Sequence, residues 1–178
     1  MRTAIPVLAL SLATFAPGCA SHYSHRFAPA PVEVDLFVDG DADAQARGLV
    51  TVKGIRRPDD GKNAVVEARL RIENLGSKPA LLVTESLSLV SADLRDMGKA
   101  RVAPSPEPIE RGAVGVYDVE FELPSGKDLD DYDLAGVNFK WEVDFGDQRL
   151  LTGLTFERVY GPARDPQVSF GFGYFHAD

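Results

Sequence analysis

The residues able to do chemistry are few, and they sit in three short stretches. Cys19 is the only cysteine, and with two of the three histidines it forms Cys19-x-x-His22-x-x-His25. Thiolate and imidazole are zinc ligands, but a structural zinc site needs four ligands and this stretch offers three. Asp39-Gly40-Asp41-Ala42-Asp43 echoes the start of a calcium loop. An EF-hand requires Gly at loop position six and a bidentate Glu at position twelve, and Ala44 and Val50 stand there instead. The third stretch is Asp128-Leu129-Asp130-Asp131-Tyr132-Asp133. Carboxylates this close repel one another unless they are solvated or share a cation. Asp128, Asp130, Asp131 and Asp133 are therefore candidate calcium ligands, with a solvated acidic loop as the plain alternative.

Catalytic motifs are missing from the sequence. His176 is the only further histidine, two residues from the end, and there is no G-x-S-x-G, H-E-x-x-H or P-loop. A glycosidase-type carboxylate pair is assembled in space, and no spacing here picks one out. The expectation is a non-enzymatic chain without a cofactor. A small hydrolase would be betrayed only by two buried carboxylates facing each other in a cleft.

The residues before Cys19 decide how its sulfur is read. Arg2 is followed by Ala4–Phe15 with no charge and then by Ala16, Pro17 and Gly18. That order of cation, apolar run and small residues is the pattern of a secretory signal peptide. The apolar run is about a dozen residues, short of the roughly 20 needed to span a bilayer. Ala16-Pro17-Gly18-Cys19 resembles the lipobox of bacterial lipoproteins, with Ala16 where Leu is commonest. The resemblance implies a diacylglyceryl group on Cys19, removal of residues 1–18, and a membrane anchor. A thioether sulfur has no thiolate to give a metal, so lipidation would remove the sulfur–imidazole site. Plain secretion with a free thiol is the other outcome. By the same resemblance, Ala20 is not the aspartate linked to inner-membrane retention, which points to the outer membrane.

Loss of residues 1–18 would leave 160 residues with 18 basic against 27 acidic side chains, a net charge of −9. An acidic chain with no basic stripe repels nucleic acid. Without a second cysteine no intrachain disulfide can form, so stability has to come from the core. The expected organisation is a signal peptide over 1–18, a tether over 19–31 and one β-domain over 32–178. The tether could instead be a loop packed on the domain, docked through Tyr23 or Phe27.

Period-two alternation dominates the chain from Val32 onward. Val32, Val34, Leu36 and Val38 share one face, as do Val66, Ala68, Leu70 and Ile72, with Glu67, Arg69, Arg71 and Glu73 opposite. Tyr117, Val119, Phe121 and Leu123 repeat the pattern, and so do Val137, Phe139, Trp141, Val143 and Phe145. Side chains alternate across a strand, so each segment reads as a half-buried strand. Residues 80–90 are strand-like with a phase shift near Glu85 and Ser86, which a bulge would explain. Pro104, Pro106 and Pro108 mark a loop or edge segment. Gly146-Asp147-Gln148 suits a hairpin loop leading into 149–160. Residues 42–48 allow one helical turn. Eight or nine short strands, each apolar on one face, predict an antiparallel β-sandwich, with a closed barrel as the alternative.

The aromatic C-terminus, Phe170, Phe172, Tyr174 and Phe175, has two readings. In phase with Val168 it is a last core strand. As an exposed ribbon with glycines between the rings, Phe172, Tyr174 and Phe175 would stack on a peptide or sugar.

Glu73-Asn74-Leu75-Gly76, Ile109-Glu110-Arg111-Gly112, Phe121-Glu122-Leu123-Pro124 and Trp141 come in the order seen in bacterial immunoglobulin-like lipoprotein domains. The chain resembles that group, often placed with water-stress-type β-sandwiches, over 65–160. The resemblance implies a domain that binds or braces rather than catalyses. Together the readings predict a lipid-anchored envelope lipoprotein facing the periplasm, with a non-catalytic binding or structural role. Its partner would be an envelope protein or a glycan. The alternative is a calcium-stabilised adhesion or carbohydrate-binding module.

Overall fold

The computed structural model describes residues 23–38, 42–57 and 62–160. Cys19, His22, Asp39, Asp41, Phe172, Tyr174 and Phe175 lie outside the described residues. The strands, in chain order, are β1 (Phe27–Ala28), β2 (Val32–Phe37), β3 (Ala44–Arg56), β4 (Val65–Asn74) and β5 (Leu81–Leu82). They continue with β6 (Ser88–Ser91), β7 (Ala100–Ala103), β8 (Val114–Glu122), β9 (Gly136–Asp144) and β10 (Arg149–Arg158).

These strands form two antiparallel five-stranded sheets. One runs β2-β3-β4-β8-β7; the other runs β1-β10-β9, with β5 and β6 both pairing with the far side of β9. The chain crosses between sheets after β1, β4, β6 and β8. Taking β3 as the first strand, the order β3-β4-β8-β7 against β5/β6-β9-β10 is the ABED against CFG arrangement of a constant-type immunoglobulin domain. The fold is an immunoglobulin-like β-sandwich, with β1 and β2 added at the open side and no disulfide between β4 and β9.

The alternating segments bury the faces their sequence selects. Val66, Ala68, Leu70 and Ile72 of β4 face Val137, Phe139, Trp141 and Val143 of β9 across the core, and all are buried. Phe121 of β8 meets Phe139 edge-on, ring centres 5.8 Å apart, and Phe139 leans on Trp141 at 5.6 Å. Each large side chain taken fully from water contributes about 1.5–3 kcal/mol, so this cluster carries the domain. The Trp141 Nε1 has no partner although it is buried; the indole is held by packing alone.

Three expectations are corrected. Residues 42–48 make no helical turn: β3 starts at Ala44 and runs for 13 residues, because Ala46, Gly48, Val50 and Val52 keep strand phase. The phase shift near Glu85 is a 3-10 turn, Thr84–Ser86, which splits the segment into β5 and β6. The stretch from Tyr23 onward is no free tether. Ser24 N–H donates to Ile55 O at 2.8 Å, Ile55 N–H donates to His25 O at 3.1 Å, and Phe27 is buried in β1 beside β10. Gly54, at φ +140°, permits this contact; a Cβ there would fall 2.3 Å from the His25 carbonyl oxygen. On its outer side β10 pairs only with β1, at Glu157 and Arg158. From Arg149 to Phe156 it is an edge among the described residues, with Leu151 68% exposed.

Gly48 faces Trp141 across the sheets, and a Cβ there would lie 2.9 Å from Trp141 Cζ2. Gly48→Val should therefore cost about 1–3 kcal/mol, because the indole has nowhere to move. Gly153→Ala would come nearest to Lys140 Cγ, at 3.1 Å, a flexible outward side chain, with Asn138 Oδ1 and Phe139 O at ordinary contact distance, and should change stability by less than about 0.5 kcal/mol. Urea unfolding followed by the emission of Trp141, the only tryptophan, measures both.

Candidate functional site

Three surfaces gather the functional side chains: the outer face of the first sheet, the loop after β8, and a cleft at one end. On the outer face, strand alternation turns every charged residue of β3, β4 and β8 outward, and the register sets Arg47 opposite Glu73 and Arg69 opposite Asp118. Lys53 and Arg69 converge on Asp118 at 2.8 and 3.0 Å. Arg56 reaches Glu67 at 2.6 Å, and the Tyr23 hydroxyl donates to the other oxygen of Glu67 at 2.9 Å. Arg47 bridges to Asp35 and Glu33, and Arg101 to Glu122. Hydrogen bonds from Arg69 and Lys53 hold the Asp118 carboxyl at about 2, below its ordinary 3.8. Most of these groups are a third or more exposed, so each pair contributes about 0–1 kcal/mol. The face is a solvated ionic lattice in which the carboxylates already have partners.

In the loop after β8, the four aspartates do not meet. Leu129–Asp131 is a 3-10 turn capped by Asp128, whose Oδ1 accepts from Leu129 N–H at 2.7 Å. Asp131 reaches back to accept from Asp128 N–H at 3.0 Å. Asp133 accepts from Ala135 N–H at 3.0 Å, and Arg57 lies 3.7 Å from Asp128. Carboxylates that cap backbone amides need no cation to relieve their repulsion. No three His, Cys, Asp or Glu side chains are grouped to hold a metal ion among the described residues.

His25 sits in the docked arm. Its Nδ1 is 2.9 Å from the Ser24 hydroxyl, which also donates to Ile55 O at 3.2 Å. Burial, then Arg158 and Arg57, lowers the imidazole below its usual value. The pair ties the arm to β3.

The cleft lies where β8 begins. It is open, about 430 Å³, and is lined by Pro104, Pro108, Ile109, Val114, Val116 and Tyr117. Val114 and Val116 are half-exposed apolar side chains at the edge of the charged outer face. Burial, and then Glu107, raises the Tyr117 phenol above its usual value. The prolines predict a loop here but not a cleft, because a buried side chain from β4 decides how that loop folds back onto β8.

That side chain is Asn74, which is fully buried. Its side-chain amide donates to Lys78 O at 2.7 Å and to Ile109 O at 2.8 Å, and its carbonyl accepts from Gly76 N–H at 3.0 Å. Its backbone N–H donates to Ala113 O, and its backbone carbonyl accepts from Gly112 N–H. The E-N-x-G and I-x-x-G segments are thus two sides of one knot. Gly112, at φ +74°, makes the turn that brings the second to the first.

No family model matches the chain, and no curated protein matches it. Among solved structures, the X-ray structure of Northeast Structural Genomics Consortium target SoR45 is similar at 14% identity and a TM-score of 0.43, covering 74% of this chain and 97% of that one. The ASH / PapD-like domain 7 of human CEP192 is similar at 16% identity and a TM-score of 0.35, covering 68% and 92%.

Asn74→Ala strands two carbonyls and one amide in the interior and should cost at least about 2 kcal/mol. Asn74→Asp sets a carboxylate against the same two carbonyls, which raises its pKa in the fold. Its stability should therefore be highest at low pH and fall as pH rises through the carboxylate range, as urea midpoints at pH 4 and 7 would reveal. Asp118 behaves in the opposite sense. Its depressed pKa stabilises the fold above pH ~4, and that contribution is lost as pH falls from 3.8 to about 2. Asp118→Asn should flatten the acid limb of a thermal-melt series across that window.

Proposed function

We propose that this chain is a lipoprotein of the bacterial cell envelope, anchored through an acylated Cys19. Its sandwich faces the periplasm, on the outer membrane, in a non-catalytic binding or structural role. One observation carries the reading: the only cysteine comes directly after an uncharged apolar run and three small residues, Ala16-Pro17-Gly18. Two acyl chains or more hold a protein firmly on a bilayer, since each buried CH₂ contributes about 0.8 kcal/mol. No described helix is long and apolar enough to cross a membrane.

The non-catalytic reading follows the sequence, which holds no catalytic motif. The described carboxylates with lowered pKa, Glu67, Asp93, Asp118 and Asp147, are engaged with Arg, Lys, Tyr, Ser or backbone partners. The Pro104–Tyr117 cleft is the surface offered to a ligand. The calcium-dependent alternative is disfavoured by the backbone caps that occupy Asp128, Asp131 and Asp133.

Expression in a Gram-negative host tests the reading. The protein should fractionate with membranes, and its N-terminal peptide should begin at Cys19 with the mass of attached acyl chains. Cys19→Ala should abolish both. Soluble, unacylated protein still carrying residues 1–18 would overturn the proposal.

A further inference from the structure

The docked arm sets how far the domain can stand from its anchor. Tyr23 is four residues beyond Cys19, and its hydroxyl is bonded to Glu67. Four residues span at most about 14 Å when fully extended. The chain therefore has almost no slack between the modified cysteine and the body of the sandwich.

The arm also selects one end of the sandwich. Ser24 and His25 bind Ile55, and the register carries that level across the first sheet through Ile55↔Val66 and Val66↔Phe121. In the second sheet the same end holds Phe27↔Arg158 and Glu157↔Gly136. The opposite end is marked by Ala46↔Asn74 and Glu73↔Val114, and the cleft and the Asn74 knot lie there. Strand β4 runs between the two ends over 10 residues, about 30 Å at the rise of a strand.

We infer that the domain is held with its Ile55–Arg158 end at the bilayer and its Pro104–Tyr117 cleft at the far end, turned to the aqueous compartment. The inference rests on the anchoring at Cys19 proposed above. The near end has mixed charge: Arg57 lies 3.7 Å from Asp128, Arg57, Arg158 and Asp130 surround His25, Glu157 pairs with Ala28, and Arg158 stacks on the Tyr160 ring at 4.8 Å. An acidic loop gains nothing from an anionic head-group surface. The covalent link holds this end close by keeping its effective concentration at the membrane high. A partner bound in the cleft would sit a domain's length from the lipid.

Single labels on the acylated full chain test this, because the thioether sulfur of Cys19 does not react with a maleimide. Glu157→Cys marks the near end and Ser105→Cys the cleft; both residues are exposed. The protein is placed in phosphatidylethanolamine/phosphatidylglycerol vesicles carrying a head-group acceptor dye. Energy transfer should be strong from position 157 and weak from position 105. A Gly/Ser linker of about a dozen residues inserted after Ala20 should erase most of that difference. Equal transfer from both positions, or stronger transfer from 105, overturns the orientation. If mass spectrometry still finds the acyl chains, the anchoring reading survives that result. An unacylated chain overturns the anchoring reading itself.

Discussion

One buried amide, the side chain of Asn74, fixes the point at which the chain leaves one sheet for the other. An immunoglobulin domain of antibody type staples its sheets together with a disulfide, and this chain has no second cysteine to do so. The inner faces of β4 and β9 pack through Leu70, Ile72, Phe139 and Trp141 instead, but apolar packing is non-directional. Direction comes from the three side-chain hydrogen bonds of Asn74, which hold Lys78, Ile109 and Gly76 at fixed positions. Desolvated hydrogen bonds are costly to leave unmade. The crossing from β4 to β5 and the return into β8 are locked to each other for that reason, and the cleft exists between them.

The charged face obeys a different logic. Its ion pairs are exposed and individually weak, yet every outward position from Lys53 to Glu122 must find a neighbour of opposite sign or be repelled by its own. In a chain with a net charge of −8, the lattice of Arg47, Lys53, Arg56, Arg69 and Arg101 keeps local charge balanced across the sheet. Charged outward residues also discourage that face from sticking to another sheet. Val114 and Val116 are where the pattern is broken by apolar side chains, and they border the cleft.

The N-terminal arm couples the lattice to the start of the described chain. Tyr23 shares Glu67 with Arg56, and Gly54 lets the arm lie flush on β3. Small residues and one phenol decide whether the arm swings free or is held against the sheet. The same arm fills the open side of the sandwich with Phe27, so its docking serves stability.

The sequence by itself determined the strands whose apolar residues alternate cleanly: β4, β8 and β9, their buried faces and the Gly146 hairpin. Binary patterning is local, and it survives any arrangement that gives each strand one dry face. It also marked Cys19 and the apolar run before it, the stretch on which the proposed anchoring rests, because such a pattern is read by order along the chain and not by folding. It did not reveal β3, where Gly48 and Gly54 interrupt the apolar series for reasons that lie elsewhere, in Trp141 and in the His25 carbonyl. It could not pair the two glycine motifs through Asn74, whose side-chain partners are up to 35 residues away. Nor could it show that Asp128 and Asp131 cap a turn: a row of acids looks the same whether its neighbours are a cation, water or the chain's own amides. Those outcomes were decided by contacts between segments distant in sequence, which exist only once the two sheets have closed on each other.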